Sequence, residues 1–158
     1  SGAVCLDLTK MKNGDCAGFA DFNSDTGALT IKKNGKKLTL EMSELTCKLT
    51  DREKAVQDYE EKVIESIDLK QNKIWLRIDA DFRPGTGTGM RRFGGADCAN
   101  FSYSLDGEQW TKIGTENYRL GFDWRRFFMG SKFAIFCYAT KRTGGYIDVD
   151  AFNFVLKP

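Results

Sequence analysis

Residues 73–82 read KIWLRIDADF. Side chains of an extended strand alternate between two faces, so Ile74, Leu76, Ile78 and Ala80 form one side and Trp75, Arg77, Asp79 and Asp81 the other. One side is a core face. The other mixes an indole, a guanidinium and two carboxylates. The same period of two recurs before and after this stretch. It predicts strands over 4–8, 17–22, 28–33, 37–42, 46–50, 62–69, 73–82, 100–105, 109–113, 132–140 and 146–156, punctuated by Gly, Asn and Asp. Asn34-Gly35 in KKNGKK and Asp106-Gly107 in SLDGEQ mark two tight hairpins, since these dipeptides tolerate the positive φ of such turns. Residues 51–66, DREKAVQDYEEKVIES, partly fit a helical stripe as well, and a charged hairpin flank is the preferred reading. Many antiparallel strands without alternating helices predict an all-β fold, a two-sheet antiparallel sandwich of jelly-roll type.

The chain of 158 residues is expected to form one domain over 1–158, large enough to bury a core without disulfide staples. With 41% hydrophobic and 29% charged residues and no apolar run of bilayer length, no membrane partner is expected. The net charge is +2, and the pairs Arg91-Arg92, Arg125-Arg126 and Lys141-Arg142 are scattered among acids, so no nucleic-acid partner is expected either. The five cysteines are odd in number, widely spaced and without a CxxC pair, which predicts free thiols and a reducing, cytoplasmic setting. The chain opens on Ser1-Gly2 without Met or a signal-type apolar segment, which suggests a processed start. Histidine is absent, which excludes Ser-His-Asp and Cys-His nucleophilic schemes and most catalytic zinc sites. Carboxylates, lysine, tyrosine or an oxygen-bound cation remain for chemistry.

Several side-chain groups are candidates for a site. Trp75, Arg77 and Asp79 suit a sugar: the indole stacks on the apolar face of a pyranose while charged groups bridge its hydroxyls. A half-exposed strand with a cross-strand Arg-Asp pair accounts for them equally well. In TGGYIDVDAFNF, residues 143–154, strict alternation puts Tyr146, Asp148, Asp150 and Phe152 on one face and Ile147, Val149 and Ala151 on the other. If this strand neighbours 73–82, the two polar faces merge and Tyr146 joins the sugar-binding set. Asp148 and Asp150 converge as metal ligands for a hard cation, a structural calcium, although two carboxylates fall short of a full shell. Read as an acid and base pair they would serve glycoside hydrolysis by a free-standing enzyme, the reading ranked last. Two long loops, 83–99 and 116–131, are where function tends to sit. The first contains RPGTGTGMRRFGG, which lacks the Gly-Lys-Ser/Thr ending of a phosphate loop and predicts no nucleotide. The second contains LGFDWRRFFMG, whose Phe122, Trp124, Phe127 and Phe128 serve as core plugs, as a sugar platform or as a docking surface.

Four ordered stretches, NGDCAGFADF (13–22), IWLRIDADF (74–82), ANFSYSLDGEQWTKIG (99–114) and FFMGSKFAIFCYATKRTGGYIDVDAF (127–152), resemble the C-terminal concanavalin A-like β-sandwich module of glycoside hydrolase family 43 β-xylosidases and arabinofuranosidases. The resemblance implies a jelly-roll module packed against a five-bladed catalytic β-propeller, with the catalytic carboxylates on the propeller and no catalytic residue in this chain. It implies that a loop aromatic approaches the parent enzyme's pocket, a role carried to Trp124, Phe127 and Phe128. It also implies a xylan or arabinoxylan ligand. The family module usually has a further first strand ahead of the segment that matches 3–15, so a strand of the family pattern is expected to be lacking here. Two readings follow: an accessory sugar-binding module of a xylan- or arabinoxylan-degrading enzyme, or a structural domain docked on the propeller.

Overall fold

The computed structural model describes residues 1–49, 56–83, 97–120 and 130–156. Their regular structure is entirely β: β1 (Gly2–Asp7), β2 (Asp15–Phe22), β3 (Thr26–Asn34), β4 (Lys37–Leu49), β5 (Val56–Leu69), β6 (Lys73–Asp81), β7 (Cys98–Ser104), β8 (Thr111–Lys112), β9 (Tyr118–Arg119), β10 (Lys132–Ala139) and β11 (Asp148–Phe154). No helix among the described residues is long and apolar enough to cross a membrane.

The strands form two antiparallel sheets. The first has the order β11-β1-β6-β7-β8, with β9 also paired to β7; the second has the order β10-β2-β3-β4-β5. Alternation decides what lies between them. From the first sheet come Val4 and Leu6, Ile74, Leu76 and Ile78, and Ala99 and Phe101; from the second come Ala17 and Phe19, Leu29 and Ile31, and Leu38, Leu40 and Met42, all buried. Each fully buried aliphatic side chain contributes about 1.5–3 kcal/mol of burial free energy, so this two-layer contact is the main stabilising feature. Gly27 lets the Phe101 and Tyr118 rings sit against β3: a Cβ there would lie 2.5 Å from Phe101.

The expected strands are present with altered bounds; three details differ, and one ambiguous stretch takes the preferred form. The stretches 37–42 and 46–50 are one strand, β4, because Ser43 and Leu45 keep the pairing going with β3 and β5. The ambiguous acidic stretch is extended from Val56 onward, as the hairpin flank of β5. The strand expected over 109–113 shrinks to Thr111–Lys112. Tyr118 and Arg119, read as loop, pair with Ala99 and Cys98, since burial of the Tyr118 ring against Phe101 pins that segment to β7. Both turn glycines have the expected positive φ, 61° at Gly35 and 84° at Gly107. All five cysteines are free, with Cys5, Cys16 and Cys47 buried.

The last strand needs a larger correction. Its partner β1 pairs Cys5 with Ala151 but Leu6 with Val149, leaving Asp150 as the extra residue of a bulge. A bulge resets the alternation. Asp148 lies opposite Asp7, and Asp150 reaches Lys73 on the outer face. Phe152, opposite Val4, instead turns inward and meets Phe19 edge-on at 6.3 Å. Tyr146, Asp148, Asp150 and Phe152 therefore do not share one face.

Candidate sugar-binding face

The outer face of the first sheet carries the chemistry read from KIWLRIDADF. Burial of Ile74, Leu76 and Ile78 forces Trp75, Arg77 and Asp79 outward. Arg77 is the centre of the patch. Its Nε lies 3.0 Å from Asp79 Oδ2, and its guanidinium carbon sits 4.1 Å over the ring of Trp110. Held by a carboxylate on one side and an indole on the other, the guanidinium keeps fixed donors for a ligand. Ser102 is the register partner of Arg77 on β7, and its hydroxyl is buried without a hydrogen-bond partner. Trp75, opposite Ser104, packs its indole nitrogen beside Gly107, where a Cβ would come within 2.8 Å. The turn that delivers Gly107 is fixed by Asp106, whose carboxylate accepts from the Glu108 and Gln109 amides and from Ser104 Oγ, each at 2.8–2.9 Å. Those hydrogen bonds hold its carboxyl below the usual carboxylate range.

Trp110 is the residue that the strand reading passed over. The signal was available: Ile113 is a core residue, and counting back by twos from its neighbour puts Lys112 and Trp110 together on the outer face.

The other sequence candidates sit apart from this patch. β1 intervenes between β6 and β11, so the faces of the two strands are not adjacent. Tyr146 precedes β11, with its amide directed to the Lys10 carbonyl, and does not join Trp75. Asp150 is bound to the Lys73 ammonium at 2.5 Å across β1, which raises the lysine's proton affinity. A calcium ion at Asp148 and Asp150 would compete with that ammonium. Among the described residues no group of three or more His, Cys, Asp or Glu is placed to hold a metal ion. Trp124, Phe127 and Phe128 lie outside the described residues.

Beyond Asp79 lies a cleft of about 650 Å³, lined by outer-face residues such as Asp79, Asp81 and Asn100 and by the inward-facing Phe133 and Phe154. The Ser1 hydroxyl donates to Asp79 Oδ1. The Arg83 guanidinium, donating to both Asp81 oxygens through Nε and Nη2 along one edge, brings the Asp81 carboxyl down to about 2. The carboxylates of β6 are thus already paired with cations, an arrangement suited to fixed hydrogen bonding rather than to proton transfer.

Comparisons with known proteins agree with this architecture. The family model of the β-xylosidase C-terminal concanavalin A-like domain matches residues 1–155. Among solved structures, a bifunctional GH43-CE protein of Bacteroides eggerthii superposes with a TM-score of 0.73 at 30% identity, covering 96% of this chain and 16% of that one. A GH43 glycoside hydrolase, described as engineered to display both endo-xylanase and exo-arabinofuranosidase activity, gives a TM-score of 0.78 at 28% identity over 98% of this chain and 29% of that one. The GH43 protein BlXynB of Bacillus licheniformis shares the fold, with a TM-score of 0.65 at 15% identity, and the match covers 96% of this chain and 26% of that one. No curated protein matches the chain. In each of these structures the matched part is less than a third of a longer GH43 polypeptide. With its two antiparallel sheets and a family match over nearly its whole length, the chain belongs to the family of β-xylosidase C-terminal concanavalin A-like domains.

Proposed function

We propose that this chain is a non-catalytic accessory module of a xylan- or arabinoxylan-degrading glycoside hydrolase, and that the outer face of its first sheet binds the sugar chain. The observation that carries the reading is the Arg77 guanidinium clamped between Trp110 and Asp79 beside Trp75. It presents aromatic surface for a pyranose face and oriented donors for hydroxyls, on a strand with a rigid core face. The xylanase and arabinofuranosidase activities named for one relative supply the substrate class. In this reading the catalytic carboxylates belong to a propeller domain of the parent enzyme, and Trp124, Phe127 and Phe128 complete its pocket.

The test is retention of the chain in gels cast with soluble xylan or arabinoxylan. Trp110→Ala and Trp75→Ala are expected to weaken retention about five- to tenfold, the loss of one stacked ring. Retention equal to the unmodified chain in both variants removes sugar binding from this face.

A second reading, a domain whose role is docking, has its own support. Register turns Phe152 and Phe154 toward the second sheet, and Ile135 on β10 toward the first. All three are nonetheless exposed, as is Leu156 beyond them. This open side of the sandwich between β10 and β11 offers apolar area that a catalytic domain would cover. A chain that binds no xylan and associates with a separately made propeller domain would favour this second reading.

A further inference from the structure

A row of side chains crosses the outer face of the first sheet from strand to strand. Register aligns Arg77 on β6 with Ser102 on β7, and Ser102 with Lys112 on β8. Alternation from the core residues Ile78, Phe101 and Ile113 turns all three outward. Ser102 thus stands between two cations, each one strand spacing of about 4.8 Å away at the backbone.

The three groups differ in how far they are already engaged. Asp79 meets Arg77 at Nε and Trp110 covers one flat face of the guanidinium, so neither contact uses the Nη edge. Lys112 is joined to Glu116 at 2.8 Å, but the two side chains are 74% and 67% exposed, and an exposed pair of this kind contributes little and yields to a better-placed anion. Between the cations the Ser102 hydroxyl is different: the residue is 4% exposed and its Oγ has no hydrogen-bond partner. Folded proteins seldom leave a buried hydroxyl unmatched. A guanidinium edge, a hydroxyl and an ammonium on three adjacent strands are all donors, and a carboxylate, with two oxygens and several lone pairs, is the group that accepts from all of them at once. Two indoles border the row, Trp110 over Arg77 and Trp75 two residues earlier on β6. They suit a ligand with an apolar ring face, which a small free anion lacks.

We propose that the Arg77–Ser102–Lys112 row is a carboxylate subsite within the sugar-binding face, so that this face takes a xylan-type chain bearing uronic acid units. The inference rests on the reading of that face as sugar-binding. In the complex the ligand carboxylate displaces Glu116 from Lys112 and accepts from the Ser102 hydroxyl and the Nη edge of Arg77, while Asp79 and Trp110 keep the guanidinium in place. Asp79 and Glu116 balance the charges of Arg77 and Lys112 in the free chain. The preference for an acid therefore comes from short-range donors and not from a broad positive field.

Amide NMR titration of the full chain with two probes tests it: a xylotetraose carrying one glucuronic acid branch, and the same molecule with the branch carboxyl reduced to an alcohol. The acidic probe is expected to bind about five- to tenfold more tightly, the contribution of one charge-assisted contact. Lys112→Gln, at an exposed position, and Ser102→Ala, which removes the buried hydroxyl, are each expected to cut that advantage to about twofold or less. Trp110→Ala is expected to weaken both probes together. Equal affinities for the two probes, or an advantage that survives both Lys112→Gln and Ser102→Ala, would overturn the carboxylate subsite, and a loss of both probes' affinity in Trp110→Ala would then leave the sugar-binding face standing. Binding of neither probe would overturn the subsite and the face together. Free glucuronate bound as tightly as the branched probe would mark a general anion site and overturn the assignment to a sugar chain.

Discussion

Asp21 shows how much one side chain can carry. Alternation from Ala17 and Phe19 sends its carboxylate between the sheets, where it is 2% exposed and one oxygen lacks a hydrogen-bond partner. Burial pushes its pKa from 3.8 up to about 6, opposed in part by a hydrogen bond with Ser131. Tyr118, Asp25 and Glu44 crowd the same end, and burial followed by those acids raises the Tyr118 phenol in turn. Between pH 4 and 6 the folded chain therefore holds a proton that the unfolded chain releases, so stability falls as pH rises through that window and stays lower above it. A shift of two units amounts to at most about 3 kcal/mol. Asp21→Asn is expected to gain about 1–3 kcal/mol over the unmodified chain at pH 7.5 and nothing at pH 4. Urea melts at both pH values check it, and parallel pH profiles for the two proteins would discard the buried-proton account.

At the scale of elements, glycine placement decides which faces can form. A Cβ on Gly18 would stand 2.0 Å from the Leu29 carbonyl oxygen of the paired strand as well as against Phe136. The Leu29 carbonyl cannot retreat without breaking the β2–β3 ladder, so Gly18→Ala is expected to cost about 3 kcal/mol or more. Gly35, in the β3–β4 turn, has open space around it and is constrained only by its positive φ, so Gly35→Ala is expected to cost about 1 kcal/mol. Denaturant midpoints of the two variants check the order, and a Gly35 variant less stable than the Gly18 variant would contradict the close strand contact. The bulge in β11 works in the opposite sense: one extra residue keeps Asp150 on Lys73 and turns Phe152 toward the second sheet, where its ring meets Phe19 edge-on while staying half exposed.

For the whole molecule the consequence is division of labour. Asp148 and Asp150 share one strand, with Asp150 tied to Lys73, while Asp79 and Asp81 are tied to Arg77 and Arg83. Hydrolysis with either stereochemical outcome needs two carboxyl groups facing each other across a glycosidic bond, one of them protonated near neutral pH. Asp21 is the described carboxylate raised toward neutrality, and it is sealed between the sheets. The isolated chain is expected to release no nitrophenol from aryl β-xyloside or α-arabinofuranoside above a heat-inactivated control. Turnover above that control would overturn the accessory reading.

The sequence by itself determined the all-β class, the core faces of the strands, both hairpin turns and the free thiols, because period two, turn dipeptides and cysteine spacing are local properties of the chain. It also separated Trp75, Arg77 and Asp79 from the core. Tertiary structure alone decided which faces meet. The insertion of β1 between β6 and β11 keeps Tyr146 and Asp148 away from Trp75, and the bulge at Asp150 overrides the alternation that the sequence implied. The placement of Trp110 over Arg77 depends on a loop returning from β7. Strand order, bulges and curvature arise from contacts between residues far apart in the chain, and period two carries no record of them.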